Sequence, residues 1–555
     1  MSTNKIPAGI TFAYIKTKEN NKIIRYVSLV KHCFQIGLKS VTNILNYSLF
    51  NSDLQIEHIQ IPFQIPVNTI YKKEWSWQKT KTLIKLPPVP GNRRRESVAS
   101  SLGAASVRRL ITRPPQKLPK PLITRFTLLC IASGLSSTAL LPFTAYAGAE
   151  AGAMPLAIMH TIAAIASPFS PIILQKTGTR IVINLSYVLI CVLLAAHTVD
   201  TPLSILLFLY SICGVMLSPM ELALAASATS FSQAAGDECR RKIALRRALR
   251  ALRASHDLGL VLGSLMLGGA LLIWPEDLLP LLQPNSIHNY TTPSWPPSED
   301  DLVEEDFEER TCGAFGCPDI QSLVGMALSA DGRRVLVAVW AVMALVASIL
   351  ALYGAAATPS PPPDARSVLK DARGLLGIPM GLFIGLQQGF IYTSYIKWYG
   401  VCVGGWNEAW RALCGAGALQ ALAAATLSMA AARGRRGYLG AGGAAAHASL
   451  LLALLRWRAA KTDLALPTVA AAAWGACSAL WDVLQGGITV GGPGWRGPWS
   501  LTLSARHAGL ALACAARQFL CVRTQLAVLA LALFTALSSH AVLELRLRRE
   551  IRHRS

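Results

Sequence analysis

The sequence has 555 residues, of which 52% are hydrophobic and only 15% are charged. Soluble domains carry about 25% charged residues, so this composition excludes an ordinary soluble enzyme. The net charge of +23 could indicate a nucleic-acid-binding protein, but 21 of the 53 Lys and Arg residues lie in residues 1–125. Most of the remaining excess lies in short segments between apolar runs, as in the cytosolic loops of membrane proteins. We therefore predict no nucleic-acid partner.

Residues 1–90 differ in composition from the rest of the chain. They are rich in Ile, Lys, Asn, Gln and Tyr, whereas Ala, Gly, Arg, Pro and Leu dominate after Gly91. One interpretation is that residues 1–120 form a basic, disordered cytosolic tail. The other is that residues 1–90 are translated from non-coding sequence. We assign no function to this region.

Twelve apolar runs follow, each long enough to cross a hydrocarbon core of about 30 Å as a helix. In lipid a helix satisfies every backbone N–H and C=O group within its own segment, and the runs lack the alternation of barrel strands, so we predict helices throughout. The bilayer is thus the first predicted partner. The predicted spans are 123–147, 152–174, 181–200, 202–226, 251–274, 334–356, 374–396, 406–432, 438–457, 464–489, 498–521 and 524–545.

Charged segments between the spans predict their orientation. Basic segments follow spans four, eight and twelve, at 237–250, 433–437 and 545–555. These three segments fall on one side if the spans are threaded in order, and the positive-inside rule makes that side cytosolic. Both termini are then cytosolic.

The long loop at 275–333 falls on the opposite side. Up to Asp331 it carries twelve acidic residues and one basic residue. It contains the acceptor sequence Asn289-Tyr290-Thr291, so we predict glycosylation of Asn289. It also contains Cys312 and Cys317, for which we predict a disulfide with each other in an oxidising compartment, with two free thiols as the alternative.

An internal repeat divides the spans six and six. A Pro-rich cytosolic linker at 357–373 separates residues 121–356 from residues 374–548, and a basic tail at 549–555 follows. In span four Glu221 lies seven residues after Gly214, and in span ten Asp482 lies seven residues after Gly475. HDLGL at 256–260 in span five likewise matches RHAGL at 506–510 in span eleven. Two matches in register indicate duplicated halves, as in the major facilitator fold.

Charged side chains at mid-bilayer cost at least about 2.5–3.5 kcal/mol, so those inside spans need a reason. They could be ion pairs that lock the halves, such as Asp257 or Asp482 with Arg506, and Glu408 with Arg411. They could instead form a proton or cation path through Glu221 and Asp482, or reflect misplaced boundaries. The candidates for a central polar track are Glu221, His256, Asp257, Gln387, Gln388, Asp482, Arg506 and His507.

The basic segment Arg240–Arg253 has two interpretations. It could be an amphipathic surface helix that contacts anionic lipid headgroups, or only a topology signal. His160, which stands alone on an apolar face, is predicted to be a buried structural residue. Motifs and spacings for a nucleophile, a phosphate loop or a metal site are absent from the sequence, so we predict no enzyme activity, no cofactor and no metal.

Four short segments resemble, in order, motifs of the uncoordinated-93-like family. Ser170–Gly178 resembles the segment at the end of that family's second span, and Cys312-Gly313-Ala314 resembles an extracellular loop motif. Gly385–Tyr392 is similar to the segment that opens the second half, and Trp474–Asp482 to a motif in span ten. The match covers about residues 120–548.

The resemblance implies an all-α integral membrane protein with a major facilitator fold, in which twelve transmembrane helices form two six-helix pseudo-repeats. It implies a role in regulating a two-pore potassium channel, or in chaperoning and trafficking other membrane proteins. Three polar positions depart from the family pattern: Gln387 replaces Glu, Ser478 replaces Asp, and Asp482 replaces Gln.

The sequence therefore predicts a multi-pass membrane regulator whose partner is a channel or receptor membrane protein. The alternative is a secondary transporter of a small organic solute, coupled to protons or cations, with an unknown substrate. The predicted location is the plasma membrane, with the endosomal or endoplasmic reticulum membrane as alternatives.

Overall fold

The computed structural model describes residues 119–150, 152–277, 312–318, 326–355, 371–432, 436–460, 462–463, 465–490 and 494–554. The predictions for residues 1–118, for Asn289 and for most of the Pro-rich linker lie outside these described residues.

Helices make up nearly all of the described chain. The α-helices are α1 Lys120–Ala149, α2 Ala153–Ala166, α3 Ser170–Thr177, α4 Thr179–Ala196, α5 Leu203–Gln233, α6 Glu238–Ile273, α7 Ala330–Gly354, α8 Ala372–Phe390, α9 Cys402–Ala432, α10 Arg436–Arg456, α11 Leu466–Thr489, α12 Arg496–Phe519 and α13 Val522–Arg554. A 3-10 turn, Ser167–Phe169, joins α2 to α3, and a π-helical segment, Ile391–Val401, continues α8. Strands β1 Pro275–Asp277 and β2 Met326–Leu328 form an antiparallel pair.

Local sequence explains several helix ends. The Ser329 side chain accepts a hydrogen bond from the Gly332 N–H at 3.2 Å and caps α7. The Asp371 side chain accepts one from the Arg373 N–H at 2.9 Å and caps α8. Such caps satisfy N–H groups that have no partner within the helix. Near the start of α9 the helix is interrupted at Gly405, whose φ of 67° suits glycine because it has no Cβ.

Nine helical stretches in the described residues are long and apolar enough to cross a membrane. One of them, Ala372–Met429, contains two crossings because the interruption at Gly405 separates the π-helical segment from the rest of α9. Helices α11 and α12, with 24 residues each, also have spanning length. Since α2 and α3 form one crossing, these helices match the twelve predicted spans, and the all-α twelve-helix fold class is confirmed. The main difference is that α6 begins at Glu238, so the basic segment is helical and continuous with span five.

The outer faces of several helices are apolar and exposed, which is the surface that lipid hydrocarbon would cover. On α4, α7 and α13 the exposed apolar residues include Ile181, Leu185, Val192, Val342, Leu345, Ile349, Leu531, Phe534 and Leu545.

Corresponding close contacts in the two halves support the predicted repeat. A Cβ atom on Gly214 of α5 would collide with the carbonyl oxygen of Met159 on α2. A Cβ atom on Gly475 of α11 would collide with the carbonyl oxygen of Ala416 on α9. Under the six-plus-six repeat α5 corresponds to α11 and α2 to α9, so the matched glycines make matched contacts. Small residues allow this approach between helices in lipid.

The predicted disulfide between Cys312 and Cys317 is wrong. Cys312 is bonded to Cys402, which starts α9, and Cys317 is bonded to Cys521, which precedes α13. The segment that holds both cysteines packs on the second half, where the Gly316 carbonyl oxygen accepts a hydrogen bond from the Val522 N–H at 2.9 Å. The 3-10 turn between the cysteines directs their thiols toward different neighbours. All four cysteines lie in connections that the predicted topology places on the non-cytosolic side.

The close contact at Gly475 predicts a stability defect. Gly475→Ala should destabilise the protein by about 1–3 kcal/mol, because overpacking forces helices apart. Thermal unfolding of the purified protein would measure it. Gly486→Ala, on the same helix with no atom within 4 Å of the added Cβ, should not destabilise. Equal effects of both substitutions would contradict the matched-contact interpretation.

The disulfide pairing is testable by peptide mapping under non-reducing conditions. We expect cross-linked peptides that join Cys312 to Cys402 and Cys317 to Cys521, because these pairs are bonded in the folded chain. The same digest after reduction serves as the control. Recovery of a Cys312–Cys317 peptide from folded protein would reinstate the sequence-based pairing.

Candidate functional site

A cavity of about 810 Å³ lies between the two halves. Its walls come from α1, α2, α5 and α6 of the first half and from α8, α9, α11 and α12 of the second. Lys242, Arg373 and Val490, which lie near the predicted cytosolic ends of their helices, are among the lining residues. The cavity therefore extends from the centre of the bundle toward the predicted cytosolic side.

The halves contact each other directly at the opposite end. The ring of Tyr146 on α1 packs against Trp406 on α9 with centroids 4.7 Å apart. The guanidinium of Arg517 on α12 donates a hydrogen bond to the carbonyl oxygen of Ala149. Gly268 of α6 lies close enough to Trp410 that an added Cβ would meet the indole at 2.7 Å. These contacts close the cavity on the predicted outer side.

Arg253 of α6 makes the first ion pair between the halves. Its Nη2 contacts Oδ2 of Asp482 on α11, and its Nε lies 3.1 Å from Oδ1 of Asp257, one turn along α6. The Gln420 side chain on α9 donates a second hydrogen bond to Asp257, at 3.0 Å. The predicted pairing of Asp257 or Asp482 with Arg506 is wrong, because both carboxylates contact the guanidinium of Arg253 instead.

Arg506 of α12 makes the second ion pair between the halves. Its Nη1 lies 3.5 Å from Oε2 of Glu221 on α5. Its Nε and Nη2 also donate hydrogen bonds to Oε1 of Gln388, at 3.0 and 2.9 Å. Arg506 therefore joins an acid of the opposite half to an amide of its own half.

The two ion pairs are reciprocal. An arginine of the first half contacts Asp482 of the second, and an arginine of the second half contacts Glu221 of the first. The two acids occupy corresponding positions in the repeat. The arginines do not, because Arg506 aligns with His256 and Arg253 lies one helical turn earlier.

Two histidines extend the contact between the halves. The rings of His160 on α2 and His507 on α12 stack with centroids 5.5 Å apart and Nδ1 atoms 3.4 Å apart. His507 Nε2 lies 3.8 Å from Oε1 of Glu221. His160 is buried as predicted, but it contacts a polar partner rather than only apolar side chains.

The structure brings most of the predicted polar track together. Glu221, His256, Gln388, Asp482, Arg506 and His507 line the cavity. Asp257 is buried behind Arg253, with its Oδ1 3.5 Å from Nδ1 of His256. Gln387 is fully buried without lining the cavity, and its amide has no hydrogen-bond partner within the described chain. The predicted pair of Glu408 with Arg411 is present at 2.6 Å, away from the cavity lining.

Arg253 is the main site residue that sequence reasoning missed. It stands at the end of the basic segment, which was interpreted as a surface helix or a topology signal. Its spacing of four residues from Asp257 is the signal that could have indicated a paired residue at membrane depth. In the part of the chain that the structure describes, no group of three His, Cys, Asp or Glu residues could hold a metal ion.

These features define a multi-pass membrane protein with a polar cavity between duplicated halves. Its sequence resembles human protein unc-93 homolog A, with 32% identity over 113 residues, which are 20% of this chain and 25% of that protein. The alignment thus spans about a quarter of that relative, and no family model matches the sequence. This similarity confirms the resemblance to the uncoordinated-93-like family.

Two solved structures are similar in shape. The E. coli fucose:proton symporter has a TM-score of 0.46 at 14% identity, covering 76% of this chain and 99% of that chain. A nucleoside transporter has a TM-score of 0.46 at 10% identity with the same coverage.

The Arg253–Asp482 pair predicts a measurable coupling. Asp482→Asn and Arg253→Gln should each lower the free energy of unfolding by about 1–3 kcal/mol, because the first removes one of the two carboxylates at Arg253 and the second leaves Asp482 without its guanidinium partner. The double variant should lose less than the sum of the two losses. Unfolding in a graded SDS titration would measure these values.

The matched control is the surface pair of Asp200 and Arg334, which lies 3.7 Å apart with the Asp200 side chain 97% exposed. Neutralising that pair should give nearly additive changes. Additive losses at Arg253 and Asp482 would mean that this pair does not hold the halves together.

Proposed function

We propose that the chain is a membrane-embedded regulator that acts by association with a channel or receptor membrane protein, as the resemblance to the uncoordinated-93-like family implies. The observation that supports this proposal is the pairing of Glu221 and Asp482 with arginines of the opposite halves. Among the described residues, Glu221 and Asp482 are the acidic side chains that line the cavity.

The pairing bears on the choice between regulator and coupled transporter. A proton- or cation-coupled carrier needs a carboxylate that exchanges its ion during each cycle. Here both lining carboxylates already have a guanidinium partner, and each partner belongs to the other half. Such pairs favour one fixed arrangement of the halves, which suits a protein that presents a constant surface to a partner.

The proposal includes three finer statements. The protein carries out no enzymatic reaction, and its role depends on the partner that it holds. Its location is the plasma membrane, with endosomal or endoplasmic reticulum membranes as the alternatives. Its partner is a channel or receptor subunit that contacts the helices from within the bilayer.

Co-purification followed by reconstitution tests the regulator proposal. The full chain would be captured from native membranes, and each co-purified channel or receptor would be reconstituted with and without it. We expect the current or surface amount of one such partner to change when the chain is present. The Arg253→Gln/Asp482→Asn variant, which keeps the net charge, should weaken this effect, whereas the Asp200→Asn/Arg334→Gln variant should not.

A solute transporter is the second candidate. It is favoured by the cavity of about 810 Å³, which reaches the cytosolic ends of the helices while the outer end is closed. That arrangement is one of the two states that alternating access requires. Uptake driven by a proton gradient in proteoliposomes, lost in Glu221→Gln and independent of any partner, would replace the regulator proposal with this one.

A further inference from the structure

One face of α6 presents a column of basic side chains to the cavity. Lys242, Arg246, Arg250, Arg253 and His256 all line it. Their spacing of three or four residues places them on a single helix face. The column begins near the predicted cytosolic end of the helix and reaches the centre of the bundle. Of the two interpretations of this segment, a surface helix against lipid headgroups does not describe this face, which lines the cavity.

Most of the positive charges around the cavity have an acidic neighbour. Lys242 lies 2.7 Å from Glu238, and Arg373 lies 2.8 Å from Asp371. The two central arginines are paired between the halves, as described above.

Arg246 and Arg250 are different. Among the residues that the structure describes, neither has an acidic partner. The Nε of Arg250 is buried without a hydrogen-bond partner, and a buried donor without a partner is costly. The cavity therefore holds two guanidinium groups, about one turn apart, without an acidic partner among the described residues; that of Arg246 is exposed and donates a hydrogen bond to the Lys242 carbonyl oxygen at 3.3 Å.

Leucine side chains contribute to other walls of the cavity. Leu140 and Leu141 of α1, Leu217 and Leu224 of α5, and Leu245 and Leu249 of α6 all line the cavity. Basic charge on the α6 wall and leucine side chains on α1, α5 and α6 suit a molecule that has both features. A small inorganic anion would leave the apolar walls uncovered, and a neutral hydrocarbon would leave the guanidinium groups without partners.

We propose that the cavity binds an amphiphilic organic anion whose phosphate or carboxylate lies between Arg246 and Arg250 and whose apolar body packs against the leucines. Guanidinium groups recognise both anions through paired N–H donors. Clefts lined by one sign of charge with low-dielectric walls also concentrate ions of the opposite sign. This inference goes beyond the proposed function, because a regulator could use such a molecule as an effector and a transporter could use it as cargo.

Binding to the purified full chain in a neutral detergent tests the proposal. The probes are oleoyl lysophosphatidate, monoolein with the same acyl chain but no charge, and inorganic phosphate alone. We expect saturable binding of lysophosphatidate and much weaker binding of the other two. Arg250→Gln should weaken lysophosphatidate binding about tenfold, since one charged hydrogen-bonding group is lost.

Arg241→Gln is the matched control, because Arg241 is exposed on the same helix and does not line the cavity. It should leave the affinity unchanged. If Arg250→Gln does not fold, Arg246→Gln and the salt dependence of wild-type binding replace it. Equal binding of monoolein, equal weakening by Arg241→Gln, or no saturable binding would each overturn the proposal.

The source of the anion is settled by a second measurement. The chain would be placed in nanodiscs that contain diacyl phosphatidylglycerol and phosphatidylcholine, to which lysophosphatidate is added. After extraction, the lipids that the chain retains would be identified by native mass spectrometry. Selective retention of phosphatidylglycerol, lost in Arg250→Gln, indicates a ligand from the bilayer. Retention of added lysophosphatidate alone indicates a single-chain ligand, and retention of neither overturns the proposal.

Discussion

The low dielectric of the bilayer is the constraint on which the rest of this structure depends. A charge placed among apolar helices costs several kcal/mol unless it finds a partner or water. The chain nevertheless places Arg253, Arg506, Glu221 and Asp482 at the centre of the bundle. Each therefore needs an opposite charge, and in both cases the structure supplies it from the other half. The ion pairs thus join the two halves directly at the cavity.

The two ends of the bundle are built differently. At the outer end the halves meet through aromatic rings and a guanidinium that bonds a helix carbonyl. On the same side, two disulfides hold the segment around Gly316 to the second half. Toward the predicted cytosolic end, basic side chains of α6 line the cavity. The outer end therefore connects the two halves, whereas the inner end carries the basic lining of the cavity in which we propose that an anion binds.

Much of this arrangement could be predicted from the sequence because the bilayer restricts the choices. Long apolar runs must be helices, and the register of Gly214 with Gly475 gave the repeat that the matched helix contacts support. The ion-pair partner of each charged side chain could not be predicted in the same way, because a pairing depends on how each helix is rotated against its neighbours. Arg253 was missed for that reason. The disulfide prediction failed because closeness in sequence was taken for closeness in space, whereas the bonded cysteines are 90 and 204 residues apart.

The repeat is imperfect at one point, and that point links the ion pairs to the proposed ligand. The two acids correspond, but Arg253 lies one turn closer to the predicted cytosolic end than the position that matches Arg506, a displacement of about 4.5 Å along the helix. This places the Arg253–Asp482 pair beside Arg250. An anion bound at Arg250 would then compete with Asp482 for the guanidinium of Arg253. Because linkage is reciprocal, a ligand that weakens this pair is itself bound more tightly when the pair is already weakened. If the proposed anion binds there, occupancy of the cavity would be coupled to the Arg253–Asp482 pair, whereas the Arg506–Glu221 pair lies one turn further along the repeat from Arg250.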